Sequence, residues 1–514
     1  MTDTVSEQSG SEFGSVGQKT LMISVFVIAT CGLVYELVAG TVASYLLGDS
    51  VTQFSIIIGA YLFSMGIGSY LSRYLERGLV TWFIQIEILV GILGGCSALV
   101  LFLAFTQLAG FQIILYSLVG AIGILVGLEI PILLRILKEE LPFRDLVSRV
   151  LSLDYLGALA ASLLFPLWLV PRVGLIRTSL LFGIANLAVA VWAYHLFRGR
   201  LIRSAWIGIQ AHVVLVGLLV LFAFSPQLTR VVEGLFYQDP VVHVRTTPYQ
   251  RIVLTRSGQD VRLYLNGHLQ FSSQDEYRYH EALVHPALAT IEAPRRALVL
   301  GGGDGMAVRE ILRNPQVKEV ILVELDPAMA ELFRDHDYGA TLNAQALRDP
   351  RVKIVHADAF VWMDQSRERF DLIVADFPDP SNYSVAKLYT RTFYGRLRDH
   401  LAPGGAIAIQ STSPLFARRS FWCIVKTIRS VGLVATPYHA YIPSFGEWGY
   451  VVATLKPYRK PERFPKGLRF LTSESVSGLF AFPVDMQPLE VEVNRLNEQR
   501  LVEYYSDEWE HVSQ

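Results

Sequence analysis

Seven apolar runs, each long enough to cross a lipid bilayer, constrain what the first half of this chain can fold into. They lie at residues 21–41, 53–72, 81–106, 112–137, 152–171, 178–197 and 206–224. A helix of about 20 apolar residues spans the roughly 30 Å hydrocarbon core of a membrane. Over the whole chain 52% of the residues are hydrophobic and only 18% are charged. The sequence therefore predicts a polar tail at residues 1–20 and a helical membrane bundle at residues 21–225.

The basic residues that flank these runs predict an orientation in the cell membrane. Arg and Lys follow the second, fourth and sixth runs, whereas the loops after the first and third runs contain neither. Because cytoplasmic loops are enriched in Arg and Lys, this pattern places the N-terminus in the cytoplasm. Seven crossings would then place the second half outside, against the intracellular chemistry predicted below. We give that chemistry more weight and expect one run to be split or re-entrant, most readily 152–171, which contains Asp154.

Small and acidic residues within the runs indicate how the bundle packs. Two sets of glycines at near-helical spacing predict close helix contacts, namely Gly91, Gly94 and Gly95, then Gly120, Gly123 and Gly127. Four acids lie within or at the edges of the runs, where an isolated charge is costly: Glu36, Glu87, Glu129 and Asp154. They fit either a cation path or amine site, or hydrogen bonds between helices. The second interpretation is favoured, since no matching set of intramembrane bases is evident.

Net charge and cysteine content exclude several classes of protein. The formal net charge is −1, so no positive surplus indicates a nucleic-acid partner. Cys31, Cys96 and Cys423 are too scattered for a disulfide framework or a Cys-based zinc site. The second half has no His, Cys and Asp cluster at metal-ligand spacing, so no metal is expected.

The pattern changes after Pro226 from long apolar runs to short strands. Alternating segments in residues 236–272, two of them joined by Asn266-Gly267, predict a small antiparallel sheet. Residues 273–455 alternate strands and helices at the lengths of βαβ units. That pattern predicts a doubly wound, Rossmann-like parallel sheet of the methyltransferase type, with ligands at the carboxyl ends of its strands. The extension at 456–514 contains no chemical motif and is interpreted as a packing segment.

Three predicted strand ends describe a pocket for adenosine. Gly301 and Gly303 belong to a glycine loop that follows an apolar strand and opens a helix, where the backbone can approach a ligand closely. Glu324 ends the next strand, placed to accept both ribose hydroxyls. Asp358, followed by Ala359, ends the third strand, where an acid can accept from the adenine amino group.

Acids at the same edge select the charge of the ligands. Asp304 lies in the glycine loop, where it would repel the pyrophosphate of a dinucleotide and the carboxylate of ordinary S-adenosylmethionine. An adenosyl sulfonium without that carboxylate suits the position better, although Asp304 could also only cap the following helix. Asp376 and Asp379 follow the fourth strand, and paired carboxylates there suit a cationic amine that must lose a proton.

Together these features resemble the polyamine aminopropyltransferases, the spermidine synthase family, from about residue 240 to 455. The matching segments are Tyr249-Gln250, the run from Gln274 to Glu281, the loop from Gly301 to Gly305, Glu324, Asp358-Ala359, Asp376 with Asp379, and Leu388-Tyr389 before Phe393-Tyr394. The apolar half is similar to that of the membrane-fused bacterial branch of this family.

The resemblance implies decarboxylated S-adenosylmethionine as co-substrate, no further cofactor, and a diamine, typically putrescine, as acceptor. The products would be spermidine and 5′-methylthioadenosine, and a homodimer would follow by analogy. Carried over by motif, Asp376 would be the general base. The methylthioadenosine part would be held by Gln250, Glu324, Asp358 and Ala359. The amines would meet His280, Asp304, Tyr279 and Asp379.

This sequence departs from the family pattern on the acceptor side. His280 stands where the family usually has Gln, Phe445 stands where many members have a channel Tyr, and Gln410-Ser411-Thr412 replaces a Gln-Gly-Glu run. The acceptor therefore stays open among putrescine, cadaverine, agmatine and longer polyamines. Two other functions also stay open: an S-adenosylmethionine-dependent methyltransferase, and a polyamine transporter or sensor whose synthase-like part only binds.

Overall fold

The computed structural model describes residues 14–47, 50–107, 110–138, 142–201, 204–461 and 464–510. The chain divides between Gln238 and Asp239 into two compact units. Most of the predicted polar tail lies outside the described residues, and from Gly14 onward the chain is already helical.

The first unit consists of α-helices. Their bounds are α1 Gly14–Leu47, α2 Ser50–Leu71, α3 Leu79–Gln107, α4 Phe111–Leu137, α5 Phe143–Leu164, α6 Leu175–Phe197, α7 Ser204–Ala223 and α8 Ser225–Phe236. Within the part of the chain that the structure describes, seven helical segments are long and apolar enough to cross a membrane, and each overlaps one of the seven predicted runs. The short helix α8 was not predicted.

The fifth of these segments differs from the expectation of a split or re-entrant run. Helix α5 continues into a π-helical stretch, Phe165–Val173, so that Phe143–Val173 forms one unbroken helical segment. Pro166 and Pro171 lie in this stretch and lack the N–H that an α-helical hydrogen bond requires. The prolines therefore change the winding of the helix without ending it.

Glycines bring helices of the first unit into backbone contact. A Cβ atom on Gly68 of α2 would lie 2.0 Å from the Ile124 carbonyl oxygen, and one on Gly127 of α4 would lie 2.2 Å from that of Met65. A Cβ on Gly183 of α6 would lie 2.7 Å from the Gly91 carbonyl oxygen of α3. A side chain would clash with backbone at each of these positions. Gly127 and Gly91 belong to the predicted small faces, whereas Gly68 and Gly183 were not predicted.

The second unit begins with a four-stranded antiparallel sheet in the order β1-β2-β3-β4. Its strands are β1 Val241–Thr246, β2 Arg251–Ser257, β3 Asp260–Leu265 and β4 His268–Ser272. The turn between β3 and β4 has φ of 51° at Asn266 and 85° at Gly267. Both residues are left-handed, which is the conformation that a two-residue type I′ hairpin requires.

The larger sheet has seven strands in the order β10-β11-β9-β8-β5-β6-β7. Its strands are β5 Arg296–Gly301, β6 Glu319–Glu324, β7 Val352–His356, β8 Phe370–Asp376, β9 Leu401–Gln410, β10 Val434–Ile442 and β11 Gly446–Thr454. The surrounding helices are α9 Glu276–Leu288, α10 Met306–Leu312, α11 Pro327–Asp335, α12 Asp337–Leu342, α13 Ala359–Gln365, α14 Tyr383–Ala386, α15 Arg391–Asp399, α16 Arg418–Arg429, α17 Val476–Leu479 and α18 Arg500–Glu510.

The expectation of a purely parallel sheet is wrong at one edge. Strand β11 pairs antiparallel with both β9 and β10. The sheet is therefore a mixed, Rossmann-type sheet in which β5 to β9 supply the parallel part. The order reverses beside β5, because β5 pairs with β6 on one side and with β8 on the other. Ligands of such sheets bind at this reversal, outside the carboxyl ends of the strands.

Candidate active site

The glycine loop after β5 packs directly against the end of β8. Gly301 has φ of 76°, and a Cβ atom there would lie 2.2 Å from the Asp376 carbonyl oxygen. A Cβ on Gly303 would lie 2.7 Å from Oε2 of Glu324 at the end of β6. Glycine is required at position 301, where the contact is with backbone, whereas a side chain at position 303 would displace the Glu324 carboxyl group. The loop thereby brings Glu324 and Asp376 to one edge of the sheet.

Asp304 combines the two roles considered for it. Its Oδ1 accepts a hydrogen bond of 2.8 Å from the Met306 N–H, which caps α10. Its charge also acts on Glu324, His280 and Asp376. A capping role alone therefore does not describe this residue, because its carboxylate adds negative charge to the crevice.

Glu324 is nearly buried, with 8% of its surface exposed. Its Oε1 accepts a hydrogen bond of 2.9 Å from the Asp326 N–H. Burial, together with the charges of Asp326 and Asp304, raises the pKa of Glu324 to about 7 against the opposing backbone hydrogen bonds. A carboxyl of this kind can accept from hydroxyl groups, as a ribose diol would require.

Gln250 enters the crevice from the small sheet and is fixed by a residue that the sequence analysis missed. Its Nε2 donates to Oδ2 of Asp326 over 3.1 Å, and Thr247 Oγ1 donates to the same oxygen over 2.8 Å. The other carboxylate oxygen of Asp326 caps α11 by accepting from the Ala328 N–H. Asp326 stands two residues after Glu324 and directly before a proline, which is a recognisable helix-start signal.

Asp358 is engaged at both carboxylate oxygens. Oδ1 accepts from the Phe360 N–H over 2.8 Å and caps α13, while Oδ2 forms an ion pair of 2.6 Å with Nζ of Lys387. Burial would raise the pKa of Asp358, but Lys387 and the backbone hydrogen bonds outweigh it and lower the pKa. Ala359 lies beside it, buried at the start of α13. Lys387 was missed because it lies a whole strand and helix later in the chain.

Asp376 lies at the end of β8 and contacts the residue predicted to line the acceptor channel. The Tyr279 hydroxyl donates a hydrogen bond of 2.8 Å to its Oδ1. Burial is the largest influence on the pKa of Asp376 and raises it, and the charge of Asp304 raises it further. The His280 charge and the Tyr279 hydrogen bond lower it, and the resulting pKa is about 6. At neutral pH this carboxyl is mostly ionised, yet it is a stronger base than an ordinary Asp.

His280 is held by a buried ion pair that the sequence analysis did not identify. Its Nδ1 donates to Oε2 of Glu276 over 2.9 Å, and Glu276 also accepts two hydrogen bonds from Arg309. Burial lowers the pKa of His280, but the Glu276 hydrogen bond and the charges of Asp304, Glu276 and Asp376 outweigh it and raise the pKa to about 9. His280 is therefore cationic at neutral pH, and its charge favours the ionised form of Asp376.

Asp379 is surrounded by three neutral donors. Gln410 Nε2 donates to Oδ1 over 2.8 Å, while Thr412 Oγ1 and the Tyr505 hydroxyl each donate to Oδ2 over 3.0 Å. Burial raises the pKa of Asp379 to about 6, although these hydrogen bonds act in the opposite direction. Among the residues that the structure describes, the hydrogen-bond donors to Asp379 are thus all uncharged. Its negative charge suits a cationic ligand.

The contact from Tyr505 corrects the interpretation of residues 456–514 as a packing segment alone. Tyr505 lies on α18, the last helix of the described chain, and reaches the acid that follows β8. Thr412, which shares Oδ2 of Asp379 with it, has φ of 57°. A β-branched residue in the left-handed region is strained, and such strain concentrates at functional sites.

Aromatic rings surround the Tyr279 side of the crevice. The Tyr279 ring lies 5.6 Å from that of Tyr450 and 6.4 Å from that of Phe445, measured between centroids. Phe445 in turn lies 5.2 Å from Trp448. The Tyr450 hydroxyl and Trp448 Nε1 are buried without hydrogen-bond partners in the described structure. An apolar wall with a few free polar atoms matches the chain of an aliphatic amine.

The fold and the acids at this edge of the sheet define a class of protein. It has a Rossmann-type sheet with the buried Glu324 carboxyl at the end of β6 and two partly buried carboxylates, Asp376 and Asp379, at and after the end of β8. Comparison with known proteins specifies the class further. A family model described as "Spermine/spermidine synthase domain" matches residues 276–463.

Similar proteins extend over nearly the whole chain. Polyamine aminopropyltransferase from Leptospira interrogans is 52% identical over 495 residues, covering 96% of this chain and 99% of that protein. Polyamine aminopropyltransferase from Mycobacterium tuberculosis is 36% identical over 532 residues, covering 99% and 100% respectively. A crystal structure of spermidine synthase in complex with the transition-state analogue AdoDATO covers 47% of this chain and 85% of that chain, with 26% identity and a TM-score of 0.45.

The chain belongs to the polyamine aminopropyltransferase (spermidine synthase) family. It is an enzyme that transfers an aminopropyl group, which confirms the reaction and family predicted from the sequence.

Proposed function

We propose that this enzyme transfers the aminopropyl group of decarboxylated S-adenosylmethionine to putrescine, giving spermidine and 5′-methylthioadenosine. The observation that carries the choice of a diamine is the pair of partly buried carboxylates, Asp376 and Asp379. Among the described residues, the hydrogen-bond donors to the Asp379 carboxylate are all neutral, and Asp376 shares the same end of β8. An acceptor with ammonium groups at both ends would offer one nitrogen to each acid.

The donor would occupy the three strand ends. Glu324 is free at the ribose position, apart from its hydrogen bonds to the backbone. Gln250, Asp358 and Ala359 would complete the contacts to methylthioadenosine, with Asp358 shared between Lys387 and the adenine amino group. Gly301 and Gly303 keep the loop close enough for the sulfonium to approach Asp376.

Asp304 would select the decarboxylated donor. Its carboxylate lies where the amino-acid end of an adenosyl sulfonium would reach the loop. An ammonium alone is attracted to it, whereas a carboxylate on the same carbon would be repelled. This difference supports aminopropyl transfer over methyl transfer, which uses the intact donor.

In the reaction, the acceptor amine must first lose a proton. An aliphatic ammonium has a pKa near that of Lys, about 10.4, so the nitrogen is protonated at neutral pH and has no free lone pair. Asp376 would take that proton as the nitrogen attacks the carbon next to sulfur. The new N–C bond forms while the C–S bond breaks, and its electron pair neutralises the sulfonium to a thioether. The proton on Asp376 then passes to solvent.

Tyr279 and His280 would prepare Asp376 for this step. The hydrogen bond from Tyr279 fixes one carboxylate oxygen, leaving the other for the ammonium. The His280 charge keeps the carboxylate ionised despite burial. Most of the rate enhancement would then come from in-line positioning and desolvation, without a covalent intermediate.

The first unit would anchor the enzyme in the cell membrane, with the second unit in the cytoplasm. The seven long apolar helices and their glycine contacts support an integral bundle. Seven crossings and a cytoplasmic second unit together place the N-terminus outside, opposite to the orientation that the basic loops predict. We favour the orientation with the second unit in the cytoplasm, because the proposed amine and adenosyl substrates are intracellular.

The experiment that tests the reaction uses the full-length chain in detergent or lipid nanodiscs. Incubation with decarboxylated S-adenosylmethionine and labelled putrescine should release methylthioadenosine and labelled spermidine in equal amounts. Ordinary S-adenosylmethionine serves as the matched donor. Methyl transfer from it, without aminopropyl transfer from the decarboxylated form, would contradict the proposal, and cadaverine and agmatine in parallel reactions would rank the acceptors.

A further inference from the structure

The break between α7 and α8 in the first unit is built from three side chains. Pro226 has no N–H, so the α-helical hydrogen bond to the Phe222 carbonyl oxygen cannot form. The Ser225 hydroxyl donates to that oxygen over 2.7 Å instead, and Ser225 Oγ accepts a hydrogen bond of 2.9 Å from Nε of Arg177. The helix can therefore end and restart here without leaving this carbonyl group unpaired.

Both ends of α8 contact other helices on one side of the bundle. Its first residue, Ser225, is bonded to Arg177 near the start of α6. Its last residue, Phe236, stacks on Phe105 near the end of α3, with 5.8 Å between ring centroids and an interplanar angle of 10°. Since α3 and α6 pack antiparallel, the end of α3 and the start of α6 lie on the same side. Helix α8, 12 residues and about 18 Å long, therefore runs along this side of the bundle.

The side chains of α8 form three faces. Val232 lies on the face turned towards the bundle and is only 4% exposed. A second face consists of the apolar residues at positions 224, 228, 231 and 235, which repeat at intervals of three or four. Phe224, Val231 and Leu235 on this face are 56%, 62% and 44% exposed. Arg230 and Gly234 lie on a third face, which is also exposed. The second face is thus an apolar surface that the bundle does not cover.

The exposed apolar face of α8 continues a face of α7. Val213, Val216 and Val220 repeat along α7 at the same helical spacing, and each is at least half exposed. Phe224 follows at this spacing, at the point where the two helices meet. In a helix that crosses a bilayer, exposed residues of this kind contact the acyl chains. The apolar face of α8 therefore begins where the lipid-facing surface of α7 ends.

We infer that α8 lies in the interfacial layer of the membrane, parallel to its surface, with Phe224, Val231 and Leu235 inserted among the acyl chains. A helix with one apolar face and one polar face binds a bilayer in this way. Arg230, on the third face, would reach the headgroups and water. The inference rests on the proposed anchoring of the first unit in the cell membrane, and it adds a second kind of lipid contact to the spanning helices.

Lipid fits this face better than a second copy of the chain does. The apolar side chains of one short helix face supply only part of the roughly 800 Å² per partner that a stable protein–protein interface buries. A bilayer needs no such minimum area, because its acyl chains already surround the adjoining surface of α7. Extending that lipid contact along α8 removes the exposed apolar side chains from water without a protein partner.

Spin labelling of the full-length chain in lipid nanodiscs tests this inference. Nitroxide labels are attached at Val231→Cys and Leu235→Cys, with Arg230→Cys and Gly234→Cys as matched controls on the third face. Val216→Cys on α7 provides the lipid reference. The measurement compares the collision rates of each label with oxygen, which concentrates among acyl chains, and with a water-soluble nickel chelate. We expect the oxygen-to-nickel ratio at Val231 and Leu235 to approach that at Val216 and to be several-fold higher than at the two controls.

Labelling background and folding are controlled in the same samples. Cys31 and Cys423 are buried and Cys96 is replaced by Ala, so that each variant carries one reactive thiol. A side chain at Gly234 meets open space, since no atom lies within 4 Å of its Cβ position. Methylthioadenosine release should be unchanged in every variant, because none of the labelled residues belongs to the candidate active site.

Two results would overturn the inference. One is nickel accessibility at Val231 and Leu235 as high as at the controls, which would place the face in water. The other is magnetic coupling between labels on two copies of the chain, which would show that protein covers the face. High nickel accessibility at Val216→Cys as well would contradict the membrane anchoring on which the inference rests. Failure of the proposed reaction is seen separately, as absence of methylthioadenosine release by the wild type, because accessibility is measured without turnover.

Discussion

The Tyr505 hydroxyl donates a 3.0 Å hydrogen bond to Oδ2 of Asp379, so the last helix of the described chain contacts an acid of the candidate acceptor site. The same carboxylate oxygen accepts from Thr412, which lies after β9. Two segments that are distant in sequence, residues 412 and 505, thus fix one face of Asp379. The acceptor side of the crevice depends on α18 as well as on the Rossmann-type sheet.

Removing this hydroxyl tests whether α18 positions the acceptor acid. We expect Tyr505→Phe to raise the KM for putrescine about 10- to 100-fold, since a hydrogen bond to a charged group contributes about 1.5–3 kcal/mol. Steady-state kinetics with both substrates varied would show this, and binding of decarboxylated S-adenosylmethionine should not change. Tyr441→Phe is the control, because Tyr441 is exposed on β10. An unchanged putrescine KM in Tyr505→Phe would contradict the assignment.

Substitution of the proposed base separates chemistry from donor binding. Asp376→Asn keeps the size of the side chain but cannot accept the proton of the acceptor amine. We expect kcat to fall about 10²- to 10⁴-fold, the usual contribution of a general base. Calorimetric affinity for decarboxylated S-adenosylmethionine should stay within a few-fold of the wild type. Asp399→Asn, on the exposed end of α15, controls for a general effect of losing an acid; a wild-type kcat in Asp376→Asn would remove Asp376 from this role.

The pH dependence of the reaction should follow the ionisation of Asp376. Its pKa is raised to about 6, so the active, ionised form is lost as pH falls through that value, and kcat/KM should fall with it. The positive charge of His280 lowers the pKa of Asp376. His280→Gln removes this charge, and we expect the acidic limb of the pH profile to move to higher pH. A shift to lower pH would show that His280 acts on a different group.

Donor selection provides a test of Asp304 that leaves the helix cap in place. Asn keeps the oxygen that accepts from the Met306 N–H, so Asp304→Asn should retain the start of α10. We expect weaker binding of decarboxylated S-adenosylmethionine, by about tenfold, and tighter binding of the intact molecule. Asp358→Asn is the matched control at the adenine end, and it should weaken both donors equally. Calorimetry of the four pairs gives the selectivity directly, and an unchanged ratio in Asp304→Asn would contradict the electrostatic argument.

Local patterns predicted which strand ends meet at one edge of the sheet. Glu324 and Asp376 directly follow apolar strands, and the glycine loop precedes a helix, so their meeting at one edge follows from the parallel arrangement of those strands. The left-handed turn at Asn266-Gly267 was likewise predicted from these two residues alone. In each case the residues concerned are adjacent in sequence to the strand or helix that positions them.

Contacts between distant segments could not be predicted in this way. Lys387, Arg309 and Tyr505 act on site residues 29, 33 and 126 positions away in sequence. No local periodicity indicates such pairs, because they depend on how α9, α10, α18 and the segment between α14 and α15 pack. The antiparallel strand β11 was missed for a related reason: alternation of strands and helices indicates parallel crossovers, and it gives no signal for a hairpin at the sheet edge.

Helix α18 is itself tied to α16, because the Glu508 carboxylate accepts from the N–H groups of Arg419 and Ser420 at the start of that helix. During synthesis the ribosome releases the glycine loop and the acids of β8 well before α18 emerges. A nascent chain at that stage would be ready for the adenosyl ligand while Asp379 still lacked one of its donors. The acid proposed to bind the acceptor would thus be completed last in the assembly of this enzyme, and a chain truncated before α18 would keep Glu324 and Asp376 but lack the Tyr505 contact to Asp379.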